Sequence, residues 1–136
     1  MIVITKQGIL QQIVDDWGDA PQVSICTSIF NYLTGPAYGR PIHLTYSNLR
    51  RIVGQDCDNT NLLLAIQYLC GERANLLKAG FELIDDDGSI DISSSDINTA
   101  RESGILIHPE NGRPVPNYEE KVFIYFKPSS LLNNIT

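Results

Sequence analysis

The apolar positions along this chain recur at two different spacings. Over the first half they return every three or four residues. Ile9, Leu10, Ile13, Val14 and Trp17 in "TKQGILQQIVDDWGD" fall on one helical face, and Gly18 suits the end of that helix. Ile25, Cys26, Ile29, Phe30 and Leu33 repeat the pattern in "QVSICTSIFNYLTGP". Gly35-Pro36 stops this second helix, because proline cannot continue one. "AYGRPIHL" then reads as a loop with a short extended piece at 42–44. "TYSNLRRIVG" predicts a short third helix, capped by Thr45 or Ser47, with Leu49, Ile52 and Val53 turned inward. After the connector "QDCDNTN" comes the strongest helical signal, "NLLLAIQYLCGERANLL". Its expected apolar stripe is Leu62, Leu63, Ile66, Leu69 and Cys70, its N-cap is one of Asp58, Asn59 or Thr60, and Gly71 ends it.

The spacing then drops to two. Phe81 and Leu83 alternate with Glu82, and Ile90 and Ile92 alternate with Asp91 and Ser93, the pattern of half-buried strands around "DDDG". "SSSDINTARESG" predicts a serine-capped helix ending at Gly104. "GILIHPENGRPVPN" is an extended stretch and a proline-rich loop, with Asn111-Gly112 as a turn. In "EEKVFIYFKPS", a last strand is expected to turn Val122, Ile124 and Phe126 to one face and Phe123 and Tyr125 to the other. The tail "SLLNNIT" is expected to be loosely held.

Short helix, tight turn, longer helix and two-stranded hairpin follow one another over about residues 22–93. This order resembles the winged-helix variant of the helix-turn-helix. The likeness lies in element order and in no signature motif. It implies an α+β fold: a small helical bundle with a β-hairpin wing and a C-terminal strand. The 136 residues fall within the usual size of one domain, and no repeat or long linker divides them, so a single domain over 1–136 is expected.

"FELIDDDGSIDI" carries the densest chemistry. Setting Gly88 at the invariant glycine of a calcium-binding EF-hand loop puts Asp85 and Asp87 in register. The same register puts Leu83 at the first ligand and Ser94 at the twelfth, where oxygen donors must stand, and the flanks are strands instead of helices. Asp87-Gly88 between alternating apolar runs is instead a hairpin signal, with the glycine supplying the positive φ of a primed turn. No metal site is expected there. His43, Cys57 and Cys70 lack zinc-like local spacing.

The chain has ten Lys and Arg against sixteen Asp and Glu, a net charge of −6. Nucleic-acid binders usually present a basic face. The expected second helix of the helix-turn-helix, Asn59 to Cys70, offers Asn61, Gln67 and Tyr68 to a base edge and contains no Lys or Arg. The wing adds Asp85, Asp86, Asp87 and Asp91, which a polyanion repels at short range. Arg40, Arg50, Arg51 and Arg73 are basic residues able to form a patch on the other side, with Arg50-Arg51 expected as a solvated face with one packed stem.

The chain is 43% hydrophobic and 19% charged, so disorder is not expected. No apolar run approaches the roughly 18 residues of a spanning helix. "MIVITKQGIL" lacks the basic region and long apolar stretch of a signal peptide. A cytoplasmic location without a membrane partner is therefore expected. Cys26, Cys57 and Cys70 are odd in number and widely spaced, which predicts buried free thiols. No nucleophile-elbow, P-loop or dinucleotide-binding glycine motif is present. The adjacent carboxylates Asp15-Asp16 and Glu119-Glu120 read as a solvated face.

These features favour a non-enzymatic protein-binding module, an adaptor, regulator or inhibitor subunit without a cofactor, whose acidic wing meets a basic partner. The runner-up is a sequence-specific DNA-binding regulator using Arg50, Arg51, Asn61, Gln67 and Arg73. A third reading is a small enzyme built on Cys57 or His43. The proline-rich stretch with His108, Asn111, Arg113 and Tyr118 reads as a rigid surface loop able to dock on a partner. A homodimer is left open, with Trp17 and the first helix as either core or dimer surface.

Overall fold

Five helices, a three-stranded sheet and a two-stranded sheet make the chain α+β in a computed structural model that describes residues 4–40 and 42–135. Pro41 of the expected loop, residues 1–3 and Thr136 of the tail lie outside the described residues. By contacts the chain divides into two units, one formed by Met1–Lys78 with Phe126–Thr136 and the other by Ala79–Tyr125.

The first unit is built from helices whose ends are chemically defined. α1 (Lys6–Trp17) starts where the Thr5 hydroxyl accepts the Gly8 N–H, and ends at Gly18. α2 (Gln22–Thr34) stops at Gly35. α3 (Tyr46–Val53) has a reciprocal cap: the Thr45 hydroxyl accepts the Asn48 N–H, and Asn48 Oδ1 accepts the Thr45 N–H. α4 (Asn59–Cys70) is capped by the Asp58 carboxylate, which accepts the Asn61 N–H. α2 packs against α1, α3 and α4 and supplies the fully buried Phe30 and Ile29 to their common core. Trp17 packs against the same core, its ring 5.4 Å from that of Tyr68 in an edge-on pair. Trp17 is thus part-buried against the core of this unit.

Two expectations in this unit change. The buried stripe of α4 is Leu62, Ala65, Ile66 and Leu69, at i, i+3, i+4 and i+7, whereas Leu63 is 49% exposed beside the exposed Leu64. Leu63 lies about 100° around the helix from Leu62 and cannot share its face. The tail is held, not loose. A 3-10 turn over Ser130–Asn134 buries Leu132, Ile135 bridges to Ile4, and the Ser129 hydroxyl donates to the Asn75 carbonyl.

The second unit is the hairpin with its supports. β1 (Leu77–Asp85) pairs antiparallel with β2 (Gly88–Ile92), so Phe81 stands opposite Ile92 and Leu83 opposite Ile90. These four side chains share one face and meet Ile97 and Ala100 of α5 (Ser94–Ser103) and Leu106 of β3 (Leu106–Ile107) in a small core. Ser93 caps α5 and Gly104 ends it. β3 pairs with β4 (Pro114–Val115), and Tyr118 donates from its hydroxyl to the Ala100 carbonyl.

β5 (Val122–Pro128) completes the three-stranded sheet next to β1, in the order β2-β1-β5. Burial along this strand does not follow its two faces. Phe123 and Ile124 are both about half exposed, while Tyr125 and Phe126 are both buried. The reason is local. Phe126 joins the helical core and pairs with Leu44, and the Tyr125 ring lies over Gly80. A Cβ at Gly80 would come within 2.6 Å of the Tyr125 ring, so the glycine makes room for it. From there the Tyr125 hydroxyl donates to Asp91 Oδ1 at 3.1 Å.

Candidate functional site

Asp85 closes β1 and Gly88 opens β2 directly opposite it, leaving Asp86 and Asp87 exposed at the tip. The hairpin is as the alternation predicts, but its turn is not primed. Positive φ falls on Gly88 (119°), after the two loop residues, and neither Asp86 nor Asp87 has it. A different bond shapes the tip: Asp85 Oδ1 accepts the Asp87 N–H at 2.9 Å, an aspartate turn that spares both aspartates a left-handed backbone.

The other carboxylate oxygen of Asp85 lies 3.9 Å from His108 Nε2. His108 is held by its own loop, since Nδ1 accepts the N–H groups of Glu110 and Asn111. Those bonds leave the ring proton on Nε2, the nitrogen facing Asp85. Asn111 Oδ1 in turn accepts the Arg113 N–H, and Gly112 donates to the His108 carbonyl. The hairpin and the proline-rich loop, separate features in the sequence, thus meet around one cleft of about 250 Å³. Its lining includes Asp85, Asp87, Ile90, His108, Glu110 and Asn111. It is rimmed by carboxylates and suits a cationic group. No cluster of three or more His, Cys, Asp or Glu among the described residues is arranged to hold a metal ion.

Four members of the expected sets, Asp86, Asp91, Arg113 and Tyr118, do not line the cleft. Asp91 lies on the sheet face, bonded to Tyr125. Tyr118 is part-buried and tied to α5, which makes it a support of the loop.

The residues expected to meet nucleic acid are mostly engaged. Arg73 donates from Nε to both oxygens of Asp16 at 2.8 and 2.7 Å, and its Nη2 lies 2.7 Å from Oδ1. Tyr68 donates to the same carboxylate at 2.5 Å. Asp16 is therefore an anchor with a side chain only 15% exposed, not the solvated group its sequence neighbours imply. The Arg73 guanidinium, followed by the Tyr68 hydroxyl, holds the Asp16 carboxyl below its ordinary 3.8. Burial, reinforced by that carboxylate, pushes Tyr68 up to about 12. Arg50 donates to the Cys57 carbonyl and to Asn59 Oδ1, and Asn61 Oδ1 accepts from the buried Gln22. Arg51 and Gln67 remain exposed, and Gln67 shares the outer face of α4 with Leu63 and Leu64.

Cys57 and His43 line different cavities. Cys57 borders one of about 410 Å³ with Gly54 and Asp58, and the exposed His43 borders one of about 820 Å³ between α2 and α3. All three cysteines are free thiols. Cys26 is fully buried, whereas Cys57 and Cys70 are part-buried. Burial raises Cys26 to about 12 and Cys70 to about 11, which keeps both as unreactive thiols at neutral pH.

Charge is divided as sharply as structure. Ten acidic and three basic residues fall within Ala79–Tyr125, a net of −7, which leaves the other unit at +1 against −6 for the whole chain. The hairpin unit also holds Ile84, Ile105, Ile107, Phe123 and Ile124, five of the nine large hydrophobic side chains exposed among the described residues. No helix among the described residues is long and apolar enough to cross a membrane. Comparison with protein-family models, curated proteins and solved structures finds no match to this chain.

Proposed function

We propose that this chain is a non-enzymatic, cytoplasmic protein-binding module, an adaptor or a regulatory or inhibitory subunit, on a winged-helix-like scaffold. Its acidic hairpin engages a basic surface of a protein partner. The observation that carries this reading is the convergence of Asp85, Asp87 and Glu110 with the His108 loop on one acidic cleft, in a unit with a net charge of −7. Exposed apolar side chains in the same unit favour a protein over a nucleic acid. Protein interfaces bury apolar area inside a polar rim, whereas a phosphate backbone meets cations. Among the nucleic-acid candidates, Arg73, Arg50 and Asn61 already have partners within the fold, which favours the same conclusion.

A tagged chain tests the proposal by capture from its native host at low salt, compared with a variant carrying Asp85→Asn, Asp86→Asn and Asp87→Asn. The reading expects one stoichiometric protein with the native chain, weakened by added salt and lost with the variant. Capture unaffected by the three substitutions would remove the hairpin from the interface.

A further inference from the structure

We propose that the helical unit carries an anion-binding groove for the phosphate end of an organic phosphate. The groove encloses about 540 Å³, and Arg40, Lys78 and Lys127 line it together with Ser130, Asn133 and Ile42. No Asp or Glu lines it. Three of the chain's ten Lys and Arg therefore surround one concavity, in the unit whose net charge is +1. All three side chains are exposed, and none has an ion-pair or hydrogen-bond partner among the described residues. Arg73 shows the contrast, because an intramolecular carboxylate takes up its charge.

The lining chemistry selects the ligand. Guanidinium and ammonium groups only donate, and a phosphate presents several acceptor oxygens to match them. Ile42 and His43 also line the adjoining cavity of about 820 Å³, where Tyr32, Pro36 and Ile52 supply apolar surface. A phosphate at Arg40, Lys78 and Lys127 would have its organic part pass Ile42 into that space. Both volumes lie within the usual range of small-molecule sites. The concave shape argues against duplex DNA, which is read by an element that projects into its groove.

Of the sequence-level candidates only Arg40 and His43 belong to this groove, and it makes no use of the hairpin. Its test therefore stands apart from that of the protein-binding reading. Calorimetric titration of the whole chain at low salt with pyrophosphate and with adenosine diphosphate is expected to show one saturable site for each. Lys78→Gln and Lys127→Gln, each on an exposed side chain, should each weaken both ligands about tenfold. Arg113→Gln and the triple hairpin variant should leave affinity unchanged, and an unaltered melting temperature would confirm that the lysine variants fold. The proposal is overturned if neither ligand gives saturable heat, or if the lysine variants bind as the native chain does. It is equally overturned if only a single-stranded oligonucleotide binds, which would give the groove to a nucleic-acid backbone.

Discussion

Asp16 shows how a single residue escapes its sequence context. Beside Asp15 it reads as one of two solvated carboxylates, yet it receives Arg73 and Tyr68 from 57 and 52 residues away. Nothing local in the sequence reports such a pairing. Its lowered pKa has a consequence of definite sign. A carboxylate whose folded pKa is depressed stabilises the fold above its ordinary pKa and loses that contribution as pH falls through the folded value. Acid unfolding of the native chain should therefore show a component below pH 3.8 that Asp16→Asn abolishes, along with a lower melting temperature at neutral pH. Tyr68 works in the opposite direction. Its folded pKa is raised, so its contribution is intact below pH 10 and is lost as pH rises toward 12, and ultraviolet titration should find this tyrosinate among the last to form. A third residue-scale outcome concerns Gly80. Gly80→Val should cost about 1–3 kcal/mol in chemical denaturation, because its side chain would occupy the volume of the Tyr125 ring. Most of that cost should vanish in a Tyr125→Ala background, since the two substitutions remove the same contact.

At the scale of elements, caps and stops were readable because they act locally. Thr45, Asp58, Ser93, Gly18 and Gly35 stand at helix ends as their chemistry predicts. The hairpin was legible too, since alternating burial and a glycine define it. What the sequence concealed was the bond that shapes its turn, because Asp85 accepting the Asp87 N–H moves the positive φ to Gly88. Gly88→Ala should accordingly destabilise the hairpin unit by about 1–2 kcal/mol, read as faster amide exchange in β1 and β2. The exposure of Leu63 and the uneven burial of β5 were hidden for a common reason. Periodicity identifies an apolar side chain, but only packing decides whether a partner covers it. Tyr125 is buried because a glycine 45 positions earlier leaves it room, and Phe123 is not.

For the whole molecule, the decisive feature is a sum that hides its parts. A net charge of −6 suggests a uniformly acidic surface and argues against any anionic ligand. Divided by structure, the same residues give a hairpin unit at −7 and a helical unit at +1. Acidity therefore disfavours phosphate near the hairpin and says little about the helices. The acidic hairpin was visible in "DDDG", and so was the His108 loop, but their meeting around one cleft was not. The basic groove escaped notice altogether, because Arg40, Lys78 and Lys127 are far apart in sequence and share no motif. The central claim is that the hairpin tip touches a protein. A photo-crosslinking amino acid at position 86, compared with one at the exposed position 72, tests it most directly in the native host. The account predicts one dominant protein adduct from position 86, mapped to a Lys- or Arg-rich surface, and none from position 72. Equal adducts from both positions, or none from position 86, would contradict it.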